Sequence, residues 1–323
     1  MREFTVTKND AGQRLDRWLG KTLPLLPAPL AQKYLRLKRV KVGGKAAPRD
    51  YRLQPGDTLQ LYINDEFFDA PREDNAFLSV FSPQLDIVYE DQNIIICNKR
   101  PGLLCHPDEH EYVSTLITHI QAYLYQKKEW SPRWENSFAP ALCNRIDRNT
   151  GGLVIAAKTA EALRVMNDKI RDREIAKLYL AAVVGTMTPP EGELRHFLLK
   201  DEGKKQVEVY RKPVPGGKSA VTRYKTLQVQ KGLSLVECQL LTGRTHQIRA
   251  QMAAAGWPLL GDGKYGSERV NRKYGEKGQA LWSYKLRFSF TGECGCLENL
   301  RGREFRLETV PLAEQYFPGV KIP

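Results

Sequence analysis

The chain has 323 residues, and its lysines and arginines outnumber its aspartates and glutamates 50 to 37, a formal net charge of +13. Such an excess attracts polyanions and makes their binding salt-dependent, so nucleic acid is the leading partner and an anionic membrane surface the lesser one. No apolar run approaches the roughly 18 to 20 residues of a spanning helix, and the opening MREFTVTKNDAGQRLDRWLG lacks the apolar core of a signal peptide, so a cytoplasmic protein without a membrane span is expected.

Residues 1–62 carry thirteen basic and five acidic side chains, over half of the net excess in about a fifth of the chain. RLDRWLGKTL places Leu15, Trp18 and Leu19 at helical spacing. The proline-rich LPLLPAPL breaks that helix, and AQKYLRLKRV starts another. VKVGGK reads as a strand entering a glycine turn, and YRLQPGDTLQLYI as a turn followed by an alternating strand. The result is a small basic module, residues 1–63, with two helices and a short sheet. Lys33, Arg36, Lys38, Arg39, Lys41 and Lys45 stand in a stretch nearly free of acids. Phosphate contacts rest on such patches, which makes these six the candidate nucleic-acid-binding residues.

Residues 64–84 mix acids, prolines and isolated aromatics without a period and read as a linker, with Phe67 and Phe68 packed on a neighbour. From Leu85 the texture changes. LDIVYEDQNIIICNKRPGLLCHP reads as strand, acidic turn, apolar strand and Pro-Gly break. Lys99 and His106 are lone polar residues at strand ends, and His106 reads as structural because no nucleophile lies near it in sequence. STLITHIQAYLYQ is an amphipathic helix with Leu116, Ile120, Tyr123 and Leu124 on one face. TAEALRVMNDKIRDREI is a further helix, and KLYLAAVVG a strand that begins with Lys177 and Tyr179. The strand-rich remainder indicates an α+β fold.

Two segments carry chemistry. In NRIDRNTGGLVIAAK, Asp147 sits between Arg145 and Arg148, and an acid between two cations is expected to stay ionised. The two glycines that follow allow a sharp turn or the close approach of a ligand. In LLTGRTHQIRAQM, Arg244, Thr245, His246, Gln247 and Arg249 crowd into six residues at a helix start, a donor set suited to phosphate or carboxylate. Gly261 and Asp262 read as turn chemistry. Cys97, Cys105, Cys143 and Cys238 read as reduced core residues, and Cys294 and Cys296 lack the second pair of a zinc site, so no metal is expected. No glycine-rich loop ends in Gly-Lys-Ser or Gly-Lys-Thr, which sets aside a nucleotide-hydrolysing P-loop.

RLDRWL, YLRLKRVKVGGK and YRLQPGDTL resemble the small RNA-binding domain first named from ribosomal small-subunit protein four, although that family usually has glycine where Lys38 stands and Asn-Gly-Lys where Gly43, Gly44 and Lys45 stand. YEDQNIIICNKRPGLLCHP, NRIDRNTGGLVIAAK, KLYLAAVVG, LTGRTHQIR, GDGKYG and the closing LWSYKLRFSF and FRLETVP resemble the ordered motifs of the RluA-type pseudouridine synthases. Asn144 replaces that family's usual His, Ile146 its Leu and Gly151 its Ser, and Arg100 precedes Pro101 where the proline more often follows the lysine directly.

The resemblance implies isomerisation of uridine to pseudouridine within RNA, by a catalytic domain (85–323) built on a mixed, mostly antiparallel sheet flanked by helices. It implies Asp147 acting at the ribose, paired with Arg249, and Tyr179 stacking on the uracil. It implies Arg145 filling the gap left by the flipped nucleotide, with Arg244, His246 and Gln247 positioning phosphates or shaping the catalytic loop. No cofactor is implied and a monomer is expected. Large-subunit ribosomal RNA is the favoured substrate, with transfer RNA as an alternative. A non-catalytic RNA-binding or ribosome-assembly protein and a glycosidic hydrolase are the rival classes, the latter lacking an obvious second carboxylate beside Asp147.

Overall fold

The computed structural model describes residues 1–68, 73–201, 203, 206–276 and 278–323. Its first elements are β1 (Arg2–Thr5), α1 (Leu15–Thr22), α2 (Ala28–Arg36), β2 (Val40–Val42), β3 (Lys45–Ala46) and β4 (Thr58–Leu61). They form an antiparallel sheet of order β1-β4-β2-β3. Leu59 and Leu61 point inward from β4 onto Leu15, Trp18 and Leu19 of α1 and Tyr34 and Leu35 of α2, making a core separate from the rest of the molecule. The strand β1 was not evident in the sequence and caps this sheet. Gly43 and Gly44 both have positive φ, 55° and 78°, in the two-residue turn between β2 and β3. That is the requirement of a type I′ hairpin, so Gly-Gly serves where Asn-Gly is commoner. Lys38, after α2, holds φ 59°, a left-handed conformation that costs a non-glycine residue about 1–2 kcal/mol.

A buried carboxylate joins this unit to the next. Asp10 is fully buried and accepts from the Thr7 N–H and hydroxyl and from Trp18 Nε1 within its own unit. It also accepts from Asn136 Nδ2 at 2.7 Å and the Ser137 hydroxyl at 2.6 Å across the seam. Asn9 and Gln13 add bonds to Glu135 and Ser137.

The second unit contains β5 (Ile87–Glu90), β6 (Ile94–Lys99), α3 (Leu116–Gln126), β7 (Ala141–Leu142), β8 (Gly151–Ala157), α4 (Ala160–Arg171) and β9 (Ile175–Val184). It continues with β10 (Glu191–Asp201), β11 (Gln206–Tyr210), β12 (Lys218–Gln230), β13 (Leu233–Leu240) and α5 (Gln247–Ala254). It closes with α6 (Glu268–Tyr274), β14 (Leu281–Phe288), β15 (Glu304–Arg306) and α7 (Pro311–Tyr316). The sheet runs β11-β10-β12-β13-β9-β14-β8-β6-β5, with β15 on β14 and β7 on β8. Among the described strands only β14 and β8 pair in parallel; the other strand pairings are antiparallel. The expected mixed, mostly antiparallel sheet flanked by helices is therefore present.

The alternation of β9 divides the core. Leu178, Leu180 and Ala182 face the cluster that receives Ala162 and Met166 of α4, while Tyr179, Ala181 and Val183 face the cluster that receives α3 and α5. Part of the expected linker belongs to this second cluster: Phe77 and Val80 are buried in it, and the Phe77 ring meets Tyr125 and Trp130 edge-on. Phe68 instead stacks on Phe4 of the first unit. Residues 69–72 of that linker lie outside the described residues.

The two glycines after Asp147 admit another strand, not a ligand. A Cβ on Gly151 would stand 2.6 Å from the Trp282 ring, and one on Gly152 (φ 110°) 2.1 Å from the Ser283 carbonyl oxygen. The parallel contact of β8 with β14, at Trp282 and Ser283, needs both positions bare. Where the resembled family carries serine, this chain has filled the space with an indole. Gly151→Ser is expected to cost about 1–3 kcal/mol in urea unfolding, and adding Trp282→Leu is expected to recover much of that loss.

Candidate active site

The loop that carries β7 into β8 faces the loop that carries β13 into α5, across the face of β9 that bears Tyr179. Between them lies a cleft of about 710 Å³. Its described lining contains one carboxylate, Asp147, and six cations: Arg145, Arg171, Arg173, Lys177, Arg244 and Arg249. That imbalance suits a polyanionic substrate.

Arg249 organises the site. Its Nε and Nη2 donate to the two oxygens of Asp262 at 2.7 and 2.9 Å, a bidentate pair, and its Nη1 donates to Asp147 Oδ2 at 2.8 Å. The Arg249 side chain is 6% exposed, Asp262 0% and Asp147 27%, so the wet end of this chain of charges is Asp147. Burial by itself would push the Asp262 carboxyl up, but the Arg249 bonds and the Lys264 and Tyr265 N–H groups hold it below the usual carboxylate range. Asp147 Oδ1 has no hydrogen-bond partner among the described residues.

His246 stands before α5 in the left-handed conformation, φ 52° and ψ 22°. Its Nε2 lies 3.9 Å from Asp147 Oδ2, and its Nδ1 is 2.9 Å from the Tyr265 hydroxyl. That hydroxyl already accepts from the Val207 N–H, which leaves its own proton for Nδ1. The imidazole proton then sits on Nε2, toward Asp147. Burial lowers the His246 pKa, in keeping with a neutral ring.

Other residues named from the sequence take different places. Tyr179 is buried on β9, opposite Cys238 and Ser283 in register. Burial raises its hydroxyl pKa strongly, with the nearby Asp147 charge acting in the same direction, so it holds its proton. Arg145 lines the cleft, exposed and without an ion pair or side-chain hydrogen bond among the described residues. Arg148 turns away, its Nε donating to the Gly102 carbonyl. The expected grip of Arg145 and Arg148 on Asp147 is thus replaced by Arg249: Arg148 is drawn to the Gly102 carbonyl, and Arg145 lines the same cleft without pairing to Asp147.

Arg244 is exposed and donates to the Ser219 carbonyl. Gln247 is buried, and its amide is committed within the fold. It accepts from the Thr242 hydroxyl and the Arg244 N–H, and donates to the Val221 carbonyl and the Thr222 hydroxyl. Gln251, one turn on, bonds Thr222, Leu194 and Ala220 in the same way. These two stitch one face of α5 to β10 and β12, and Arg249 leaves on the other side. The donor cluster read as a phosphate site therefore divides between the sheet and the cleft. The six cations of the first unit, Lys33 to Lys45, lie far along the chain from this cleft. None of them is ion-paired among the described residues, and Arg39 and Lys41 lie over the Tyr34 and Tyr62 rings.

Two contributors escaped the sequence reading. Asp262 looked like turn chemistry and is the partner that fixes Arg249; the GDGKYG segment was the signal. Lys99 is 1% exposed, its ammonium donating to the carbonyls of Arg100, Leu103 and Arg148, which ties the Asp147 loop to the end of β6. Burial lowers its pKa to about 8, so it remains a three-proton donor at neutral pH.

The fold and the sequence have known counterparts. The fold matches the human RNA pseudouridylate synthase domain-containing proteins 1 and 4, with TM-scores of 0.57 and 0.56 over 75% and 73% of this chain (91% and 94% of theirs), at 20% sequence identity. The sequence pattern of the RNA pseudouridylate synthase family matches residues 93–254. An RNA pseudouridine synthase of Mycoplasma genitalium is 32% identical over 97% of both chains, and one of Bacillus subtilis 30% identical over 90% of this chain and 91% of its own. Ribosomal large subunit pseudouridine synthase C of Escherichia coli is 31% identical over 85% of this chain and 83% of its own. The chain belongs to the RNA pseudouridine synthase family, whose members are isomerases.

Asp262→Asn is expected to destabilise the protein by about 3–5 kcal/mol, since it leaves a buried guanidinium half-paired. The folded Asp262 titrates below its unfolded value of roughly 3.9, so its contribution is complete above that pH and is lost as pH falls through the folded pKa. Denaturant titrations below pH 5 are expected to show a shallower acid limb in Asp262→Asn than in the wild type.

Proposed function

We propose that the chain converts specific uridines of large-subunit ribosomal RNA to pseudouridine, with Asp147 as the reacting carboxylate. The observation that carries this reading is the arginine-held Asp147, the one acid lining a cleft otherwise rich in cations. A glycosidic hydrolase needs a second carboxylate nearby, and the described lining offers none. The relatives named for the ribosomal large subunit, synthase C of Escherichia coli and synthase D of Neisseria meningitidis (31% identical over 88% of this chain), support the choice of RNA.

In this reading the target nucleotide leaves the RNA stack and enters the cleft. Arg145, exposed and unpaired at the rim, fills the gap and offsets an unstacking cost of a few kcal/mol. The Tyr179 ring stacks on the uracil, worth roughly 1–3 kcal/mol, and its protonated hydroxyl can donate but not abstract. Asp147 uses the oxygen left free by Arg249, acting on the anomeric carbon or taking the neighbouring ribose proton while the glycosidic nitrogen leaves. The uracil turns and bonds through ring carbon five to the anomeric carbon, as Asp147 gives up that carbon or returns the ribose proton. The carbon-five proton is lost and the former glycosidic nitrogen gains one, so that the change is an isomerisation. His246 presents its Nε2 proton beside Asp147, and Arg244 meets a backbone phosphate. Gln247 shapes the loop.

We assign residues 1–63 as an RNA-binding domain of the type named from ribosomal small-subunit protein four, and residues 85–323 as the catalytic domain. The two-helix unit with its I′ hairpin and its unpaired Lys33, Arg36, Lys38, Arg39, Lys41 and Lys45 supports that assignment.

Pseudouridine mapping of total RNA from cells with and without the protein tests the function. One or more ribosomal sites are expected to disappear on deletion and to return with the wild type but not with Asp147→Asn. Restoration by Asp147→Asn would remove that residue from the reaction. Replacing Lys33, Arg36 and Arg39 together by Gln is expected to make the slope of log affinity against log salt less steep by about two to three. An unchanged slope in a filter-binding series would contradict the role of the first unit.

A further inference from the structure

Lys177 lies two residues before Tyr179 on β9, so its side chain leaves the strand on the same face, one step along the cleft wall. Its ammonium lies 3.9 Å from the position a Cβ on Gly243 would take, close under the loop that presents Arg244. No acceptor among the described residues receives its protons. Lys99 is the contrast, since all of its protons reach carbonyl oxygens. Burial lowers the Lys177 pKa, and no nearby carboxylate opposes the shift. A half-buried ammonium without an acceptor is costly, and an anion in the cleft reverses that cost.

Arg173 lines the same end of the cleft, four residues earlier. It holds φ 62°, uncommon for a residue with a side chain. Arg171 is engaged by Asp168 and Asp172, whereas Arg173 has no partner among the described residues. The cleft lining thus holds two cations without acceptors among the described residues, Lys177 and Arg173.

We propose that Lys177 and Arg173, with Arg244 across from them, form a subsite for a backbone phosphodiester adjacent to the target nucleotide. The inference rests on the functional reading above and adds to it a direction. The RNA strand leaves the cleft along β9 toward the end of α4, away from Asp262.

The test is pseudouridine formation on RNA from cells lacking the protein, measured against RNA concentration and at several KCl concentrations. Lys177→Gln is expected to raise KM about tenfold, as for loss of one charged hydrogen bond, with kcat within about twofold. The slope of log kcat/KM against log salt should become less steep by about 0.7 to 1. Lys177→Arg should restore most of the KM. Arg173→Gln, at an exposed position where folding is not at risk, should shift KM and slope in the same direction. Wild-type KM and slope in both Gln variants would overturn the subsite, as would a loss confined to kcat. A wild-type protein that forms no pseudouridine would instead fail the underlying functional reading, and the two failures are separate.

Discussion

A guanidinium that is 6% exposed must be neutralised where it stands, and Arg249 is neutralised by two carboxylates of different kinds. Asp262 is fully buried and holds two of the donor nitrogens in a fork that allows no rotation. The third direction of the planar group is then set, and it points at Asp147. Asp147, the acid proposed to react, is thus aimed from beneath by a pair it does not belong to. Asp262 is in turn held by backbone N–H groups of the turn that follows it, and Asn271 bonds both Gly261 and the Asp262 carbonyl. The turn before α6, far from the substrate in sequence, is therefore part of the aiming device.

The sheet serves the same end from the other side. Gly151 and Gly152 let β8 lie against β14 at a spacing no side chain would permit, and this fixes where the Asp147 loop ends. Lys99 fixes the loop from its flank through the Arg148 carbonyl. Between these restraints Asp147 has a stiff backbone and one fixed oxygen, while its other oxygen faces the cleft. Preorganisation of this sort reduces the rearrangement needed as charge develops on the substrate.

Much of this was legible in the residues, and the parts that were not share a cause. The helices α1, α3 and α4 and the strands β6 and β9 follow from local periodicity, which needs no knowledge of partners. Asp147 and Arg249 stood out because each lies in a dense run of polar side chains. Their pairing came only with the family resemblance, since Asp147 and Arg249 are 102 residues apart and spacing alone offered the nearer Arg145 and Arg148. Gln247 read as one of a donor set suited to phosphate or carboxylate, and Gln251 drew no reading. They are buried because the carbonyls of β10 and β12 face α5 and require N–H groups, a demand that lies in another part of the chain. The strand β1 is four residues long and without a turn before it, too short for alternation to declare itself. Asp262 followed a glycine and passed for a turn residue, which it also is.

The seam at Asp10 changes how the first unit must be pictured. One carboxylate caps the Thr7 turn, holds the Trp18 indole and receives Asn136 and Ser137 at once, so the first unit is docked on the second through a buried, fully engaged acid. A tethered module raises the local concentration of any ligand within its reach. If the first unit binds RNA as proposed, a docked module adds the span between its basic face and the cleft to what is selected.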